Sequence, residues 1–561
     1  MIYRACFKYA ILGLFLMTMK SLEAQTNEVL YTHFDQPFYV VGDEAWFKIY
    51  LLGNATINSS IIHTEFVSPD GTVLNRQNLK VMDKTAHGFF KIPIDWQEGQ
   101  YLFRAYTLWQ NDSIAMPKAI MTKKIIPIYN DLMETKTEQI KAVSSIEPFI
   151  MPSIVGEYSI TSDDKKVYKR REKVTLTLNL KDRQNNPMEG DLSVSIVEST
   201  PLSSNDLLES FQETQSGLIN KSLKKESLTP EKELTLLGKV KDDKNPKPVT
   251  DQYLSLYFPT LNQFRRLTAK DGFFKIALPF FQSKTDVQVL SLNPNASYPL
   301  SIESIFSIDL PPYKSEKMPL HTPAMDAYLK QNNKRRRAND IFNLAIVSNQ
   351  TPDSSKVKES VVADKSYDLK NFTNLTTVED FIREVVYFGQ ITRKNDKKTV
   401  RLQNKDNSTI YTFAPWYVVD GLFVEDEEQV LNIPISEVLR IDIFNQKKSI
   451  EKNFDWLMFR YGVIAITTKK NTRALSILNV RKSTIEGFTL SKNWREATIP
   501  DSKSPDFRTL LTWQSDIKTN KSGSTTLSFT TGDIRGKFAV RVIGKTLDGK
   551  PICGVFFIEV I

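Results

Sequence analysis

The chain has only two cysteines in 561 residues, Cys6 and Cys553. If Cys6 leaves with an N-terminal leader, one cysteine remains, no internal disulfide can form, and hydrophobic cores alone must hold the folds. The four histidines, His33, His63, His87 and His321, lie far apart and none has a His-Glu-x-x-His context. Zinc hydrolysis therefore lacks its ligand spacing, and no metal is expected. There is no Gly-x-Ser-x-Gly elbow, phosphate-binding loop or dinucleotide fingerprint, so catalytic and cofactor-binding residues are expected to be none. No apolar run approaches the roughly 20 residues of a spanning helix, which makes the mature chain soluble or peripheral by expectation. The net charge of +9 is small for this length and spread out, giving no case for nucleic-acid binding.

What is present is an ordinary folded composition, with 41% hydrophobic, 11% aromatic and 25% charged residues. The length predicts about three to five domains. Arg4 and Lys8 precede the apolar run from Tyr9 to Met19 and the Ser21–Ala24 stretch, which reads as an export leader over 1–24. Cys6 precedes that run and is badly placed for lipidation.

Short strands punctuated by Pro, Asp and Gly follow, such as Ala45–Leu52, Gly88–Ile92 and Gly99–Tyr106, and predict a β-sandwich. Lys173–Leu180 places Val174, Leu176, Leu178 and Leu180 on one face, the period of a half-buried strand. Leu234–Val240 opens a third such unit. Two motifs recur: Tyr39-Val-Val-Gly-Asp43 is echoed by Tyr168-Lys-Arg-Arg-Glu172, and Gly88-Phe-Phe-Lys-Ile92 by Gly272-Phe-Phe-Lys-Ile276. The N-terminal half is thus an array of similar β modules, whether by ancestry or by a shared turn requirement. The period then changes. Thr322-Pro323 offers a cap and first-turn proline for a helix over 324–347, and Thr376 with Glu379 reads as a capping box for a helix over 378–387. Lys334–Arg337 is read as a solvated helix face, with an anionic partner as the alternative. Glu425–Glu428 is read as a solvated acidic loop in preference to a cation site, since no regular oxygen-ligand spacing appears.

Two family resemblances add to this. Residues 371–470 resemble the plug domain of TonB-dependent outer-membrane receptors, through the capped helix, Trp416-Tyr-Val-Val-Asp-Gly421, Ile435-Ser-Glu-Val-Leu-Arg-Ile-Asp442 and Phe459-Arg-Tyr-Gly-Val-Ile-Ala-Ile-Thr-Thr-Lys-Lys470. The signature residues, structural or docking, are Tyr417, Val419, Asp420, Gly421, Glu437, Val438, Tyr461, Gly462 and Ile464. Gly421 and Gly462 are expected in tight turns, and Val418, Ile464 and Ile466 in a small α/β core. Fewer residues follow position 470 than the roughly 220 that a barrel of about 22 strands needs, so the chain is not expected to be the transporter itself.

The flanking modules resemble macroglobulin-like domains of the alpha-2-macroglobulin family, through His33–Phe47, Tyr168–Leu180 and the C-terminal run from Pro505 to Val542. Residues 234–290 resemble a carboxypeptidase-regulatory-like module. The family's thioester motif, Cys-x-Glu-Gln, is absent, so covalent protease trapping is not implied.

The expected fold is mainly β: an array of Ig-like, macroglobulin-like sandwiches with one small α/β plug-like domain. The expected layout is leader 1–24, sandwich 25–130, linker 131–155, second sandwich 156–232 with a polar insertion, third sandwich 233–310, linker with helix 311–370, plug-like domain 371–475 and C-terminal macroglobulin-like domain 476–561. The resemblances imply a non-catalytic, exported envelope scaffold, periplasmic or outer-membrane associated. Its plug-like domain would dock onto a protein partner such as an outer-membrane β-barrel or its machinery, without nucleic acid. Exposed sandwich edges offer β-augmentation as a route to that partner. The alternative is a macroglobulin-like protein engaging proteases or peptides, with 203–232 and 350–370 as candidate bait segments.

Overall fold

The computed structural model describes residues 28–52, 58–110, 118–132, 158–202, 229–242, 252–269, 272–291, 300–304, 310–341, 362–372, 374–394, 397–454, 459–469, 482–490, 492–496 and 504–561. The leader, the linker core at 133–157 and the bait candidates over 203–228 and 350–361 lie outside them.

The architecture is mainly β, three sandwiches and one α/β unit, and it is nested. The first sandwich has one sheet of Val29–Phe34, Glu44–Leu52 and Thr85–Lys91. Its other sheet holds Tyr39–Val40, Lys118–Tyr129, Gly99–Gln110, Ile61–Val67 and Val73–Lys80. Thr229–Pro230, from the stretch expected as a polar insertion, pairs onto Gly99–Gln110.

The second sandwich is built from both ends of the remaining chain. Gly190–Glu198 lies between Leu510–Lys518 and Gly536–Thr546, and Lys173–Asp182 pairs with Ser524–Thr530. Val174, Leu176, Leu178 and Leu180 share one core with Leu527, Phe529, Val540 and Val542. The modules drawn separately at 156–232 and 476–561 are therefore one domain. Amphipathic alternation shows which face of a strand is buried but not which strand it pairs with, which is why sequence separated them.

The third sandwich repeats the device. Thr235–Asp242 pairs with Phe273–Ala277 and Leu300–Ser304, while Lys284–Ser291 pairs with Gln252–Phe258 and with Ser483–Glu486 from beyond the α/β unit. The α/β unit is thus inserted in the third sandwich, which is inserted in the second.

Helix α1 (Pro323–Ile341) is capped by Thr322, whose Oγ1 accepts the Met325 N–H at 3.1 Å. It packs Met325, Tyr328 and Leu329 against Phe38, Val40 and Tyr129 of the first sandwich. The run Lys334–Arg337 is only half solvated. Arg335 is buried against Glu198 of the second sandwich at 2.7 Å, and Arg336 pairs with Asp131 at the end of the first. α1 is a staple between the two sandwiches.

The two repeated motifs differ in kind. In Tyr39–Asp43 and Tyr168–Glu172 the fourth residue has a left-handed backbone (Gly42 φ +94°, Arg171 φ +55°). The acidic fifth residue accepts the N–H of the second, Asp43 from Val40 at 2.8 Å and Glu172 from Lys169 at 2.7 Å. This is one turn used twice. The Gly-Phe-Phe-Lys-Ile identity does not extend to the backbone. Gly88 is needed because a Cβ there would lie 2.2 Å from the Phe47 ring, whereas Gly272 is needed for its φ of +82°.

Candidate functional site

The α/β unit is the candidate docking element. Its sheet orders Lys365–Asp368, Val438–Phe444, Val463–Thr468, Trp416–Val419 and Leu422–Val424, with the central pair Trp416–Val419 and Val463–Thr468 parallel. Helices α2 (Val378–Val385), α3 (Glu427–Leu431) and α4 (Lys447–Asn453) accompany it. The capping box of α2 is one residue further on than the sequence suggested. Thr377 caps, with Asp380 answering its N–H, and Glu379 pairs instead with Lys398 at 2.6 Å.

Every signature residue has a local task. Tyr417 and Val419 face the core of the unit, and the Tyr417 hydroxyl donates to Glu427 Oε1 at 2.7 Å. Burial, then Glu427, holds that phenol well above its ordinary pKa. Asp420 and Gly421, with φ of +49° and +81°, form a two-residue hairpin turn of the type that Asp-Gly favours. The Asp420 carboxylate also accepts the backbone N–H and the hydroxyl of Thr468, both at 2.7 Å, tying the turn to the neighbouring strand. Glu437 ends a 3-10 turn, Val438 opens the next strand from a buried position, and Ile464 is fully buried. Gly462 has φ +93°, and a Cβ there would meet Leu402 at 2.9 Å. Tyr461 packs beside Phe413 with Arg460 over its ring. Of the acidic loop, Asp426 caps α3 and Glu427 also accepts the Val400 N–H, so two of its four carboxylates are structural.

One expected core residue faces elsewhere. Val418 points away from Ile464 and Ile466 and packs with Phe423, Phe444, Ile450, Phe459 and Val463 against Tyr257 and Leu290 of the third sandwich. Phe423 and Phe459 stack at 4.9 Å, and Phe264 adds a ring 5.4 Å from Phe459. At this junction the Gln288 side chain donates Nε2–H to the Phe423 carbonyl at 3.0 Å and accepts the Phe423 N–H at 2.8 Å. An amide thereby takes the place of a neighbouring strand along Leu422–Val424.

The junction between the first and second sandwiches is polar and buried. Lys48, fully buried, donates to Asp191 and to the Ser515 carbonyl, both at 2.6 Å. Arg541 donates to the Phe34 and Asp35 carbonyls at 3.1 and 3.3 Å. Burial raises Asp35 to about 7, against hydrogen bonds from Tyr39 and the Trp46 N–H that lower it. His33 lies 2.6 Å from Ser193, which also accepts the Tyr50 hydroxyl, and burial pushes His33 far below its ordinary pKa. A Ser–His pair is present here, with both members completely buried.

The four histidines, so dispersed in sequence, all serve joins of the first sandwich. His33 meets Ser193, His63 meets Glu231 at 2.7 Å, His87 meets Asp516 at 3.3 Å, and His321 bridges Glu98 and Asp326 at 2.6 Å each. Among the described residues no group of three His, Cys, Asp or Glu side chains could hold a metal ion. No described helix is long and apolar enough to cross a membrane. Cys553 is buried, and desolvation raises its thiol to about 11.

No family model and no curated protein matches the chain. Among solved structures, Escherichia coli alpha-2-macroglobulin activated by porcine elastase aligns at 9% identity over 95% of this chain and 44% of that one, with a TM-score of 0.24. The native conformation of the same protein aligns at 10% identity, 96% and 40% coverage and a TM-score of 0.24. Salmonella alpha-2-macroglobulin reacted with methylamine aligns at 10% identity, 95% and 39% coverage and a TM-score of 0.22. The chain therefore spans less than half the length of the solved structures it matches.

Proposed function

We propose that this chain is a non-catalytic scaffold of the bacterial cell envelope, whose nested macroglobulin-like sandwiches present a plug-like α/β unit to a protein partner, an outer-membrane barrel or its associated machinery. The observation that carries the reading is the seam between the unit and the third sandwich. A ring cluster of Phe264, Trp416, Phe423, Phe454 and Phe459, with the two-way Gln288 bond, buries one face of the sheet and fixes the unit's position. A flexibly tethered module needs no such seam. A unit held this way offers its turns, its strand pair Gly389–Lys394 and Lys397–Leu402 and its outer edge at low entropic cost. The covered face also limits how it engages: insertion into a barrel with this face exposed would first require the seam to open.

The test is site-specific photo-crosslinking of the full chain in native envelopes. Crosslinkers at Gly421, Arg401 and Thr412 on the α/β unit are compared with crosslinkers at Lys521 and Gln263 on the sandwiches, all exposed positions. The reading expects one outer-membrane protein captured from the unit's positions alone. Capture of proteases from the sandwich positions instead would replace it by the protease- or peptide-engaging alternative.

A further inference from the structure

The sandwich edges, expected from sequence to be exposed for strand addition, carry hydrogen-bond partners at several places. Along Ser524–Thr530, the Ser528 carbonyl accepts from Gln514, the Thr530 carbonyl from Arg508, and the Thr530 N–H donates to Glu496, at 3.0, 3.2 and 3.0 Å. On Leu510–Lys518, the Ser515 carbonyl is taken by Lys48. On Val73–Lys80, the Asn78 carbonyl accepts the Thr489 N–H at 2.9 Å. In the α/β unit, Leu422–Val424 is covered by Gln288. Such contacts are what keep an edge from templating another chain.

The opposite edge of the unit's sheet, Lys365–Asp368, is different. It pairs with Val438–Phe444 on one side, and among the described residues its backbone makes no hydrogen bond on the other. Tyr367 anchors the strand inward, its ring 5.2 Å from Phe381, while Lys365, Ser366 and Asp368 are exposed. Apolar side chains flank this polar rim. Tyr387 is 87% exposed, two residues beyond α2, the helix whose Phe381 packs on Tyr367; Leu439 is 39% exposed beside Arg440, the residue paired with Asp368; Val362 is 61% exposed just ahead of the strand.

We propose that Lys365–Asp368 is a strand-addition site that takes an extended segment of the partner polypeptide, four or so residues long, with apolar side chains alternating toward Tyr387 and Leu439. The open row of N–H and C=O groups fixes the ligand's chemistry: only an extended backbone satisfies it, and neither a helix nor a lipid offers the matching alternation. The proposal rests on the reading of the α/β unit as the docking element, and names the surface by which it docks.

The test uses the full chain and synthetic decapeptides alternating Val or Tyr with Thr, each matched by a version N-methylated at every second residue. With the unmodified peptide at saturation, the outward amides of Lys365–Asp368 are expected to exchange at least tenfold more slowly. Methylation in the pairing register is expected to weaken binding at least about tenfold, since it removes backbone bonds. Tyr387→Ala and Leu439→Ser, both at exposed positions, should weaken binding without loss of fold by circular dichroism. Equal binding by the methylated peptide, protection confined to other edges, or no protection by any peptide in the panel overturns the proposal. Envelope crosslinking from Gly421 in the Tyr387→Ala/Leu439→Ser chain separates the two readings. Undiminished capture refutes the edge and leaves docking intact, whereas absence of capture in the parent chain refutes docking itself.

Discussion

Gln288 gives the sharpest test of how the α/β unit is held. Replacing it by methionine, similar in volume and without hydrogen-bonding atoms, leaves the N–H and C=O of Phe423 buried with no partner. A stranded buried polar group costs about 1–3 kcal/mol, so two predict a loss of about 2–6 kcal/mol, offset little by packing because the volume is conserved. A chain of several domains does not melt in one step, so the readout is local hydrogen exchange over 416–424 rather than a melting temperature. At the lower bound of about 2 kcal/mol, exchange of the Leu422–Val424 amides should accelerate about 30-fold if it proceeds by local opening. Gln288→Glu keeps an acceptor for the Phe423 N–H but sets a carboxylate against its carbonyl, and should fall between methionine and the parent. Exchange in Gln288→Met within threefold of the parent would refute the argument, because the rings alone would then be holding the seam.

Three further outcomes follow from other joins. Arg335→Met leaves Glu198 buried without its cation, which costs about 3–5 kcal/mol; protease sensitivity of α1 should rise, and Glu198→Gln in the same chain should restore part of the loss. His321 is raised, burial opposing but the bonds to Glu98 and Asp326 outweighing it; its contribution is therefore complete below about pH 6.5 and lost as pH climbs through the folded value, and in His321→Gln the alkaline rise in α1 exchange should vanish. Removal of residues 536–561 takes two strands from a sandwich begun at Tyr158, so amides of Lys173–Glu198 should lose protection while those of Glu44–Leu52 keep theirs; retained protection at 173–198 would contradict the nested topology.

Much of the local structure was legible because local rules govern it. Alternating Val174, Leu176, Leu178 and Leu180 could only be a half-buried strand, Thr322-Pro323 could start a helix, and Asp420-Gly421 could make a two-residue hairpin turn. Each depends on residues a few positions apart. The capping box shows the margin of such reading. Thr376 with Glu379 and Thr377 with Asp380 satisfy the same pattern, and the choice falls to the second pair because Glu379 has a partner in Lys398, a residue no cap rule considers.

The joins were not legible, and for one physical reason. Arg541 meets Phe34, Lys48 meets Ser515, Gln288 meets Phe423 and Arg335 meets Glu198, pairs separated by 135 to 507 positions. Nothing in the composition around Arg541 marks it as buried: it stands between Val540 and Val542, as a polar residue does on a strand with one face in water. A sandwich face that closes on another sandwich has the same polar alternation as one facing water, so periodicity cannot tell them apart. The same blindness hid the composite second sandwich, and it explains why Val418 was assigned to the core of its own unit. What decides each case is a desolvated polar group finding its partner from a distant module. The proposed docking unit shows both outcomes on opposite edges of one five-stranded sheet: Gln288 closes Leu422–Val424, whereas the outward backbone of Lys365–Asp368 makes no hydrogen bond among the described residues.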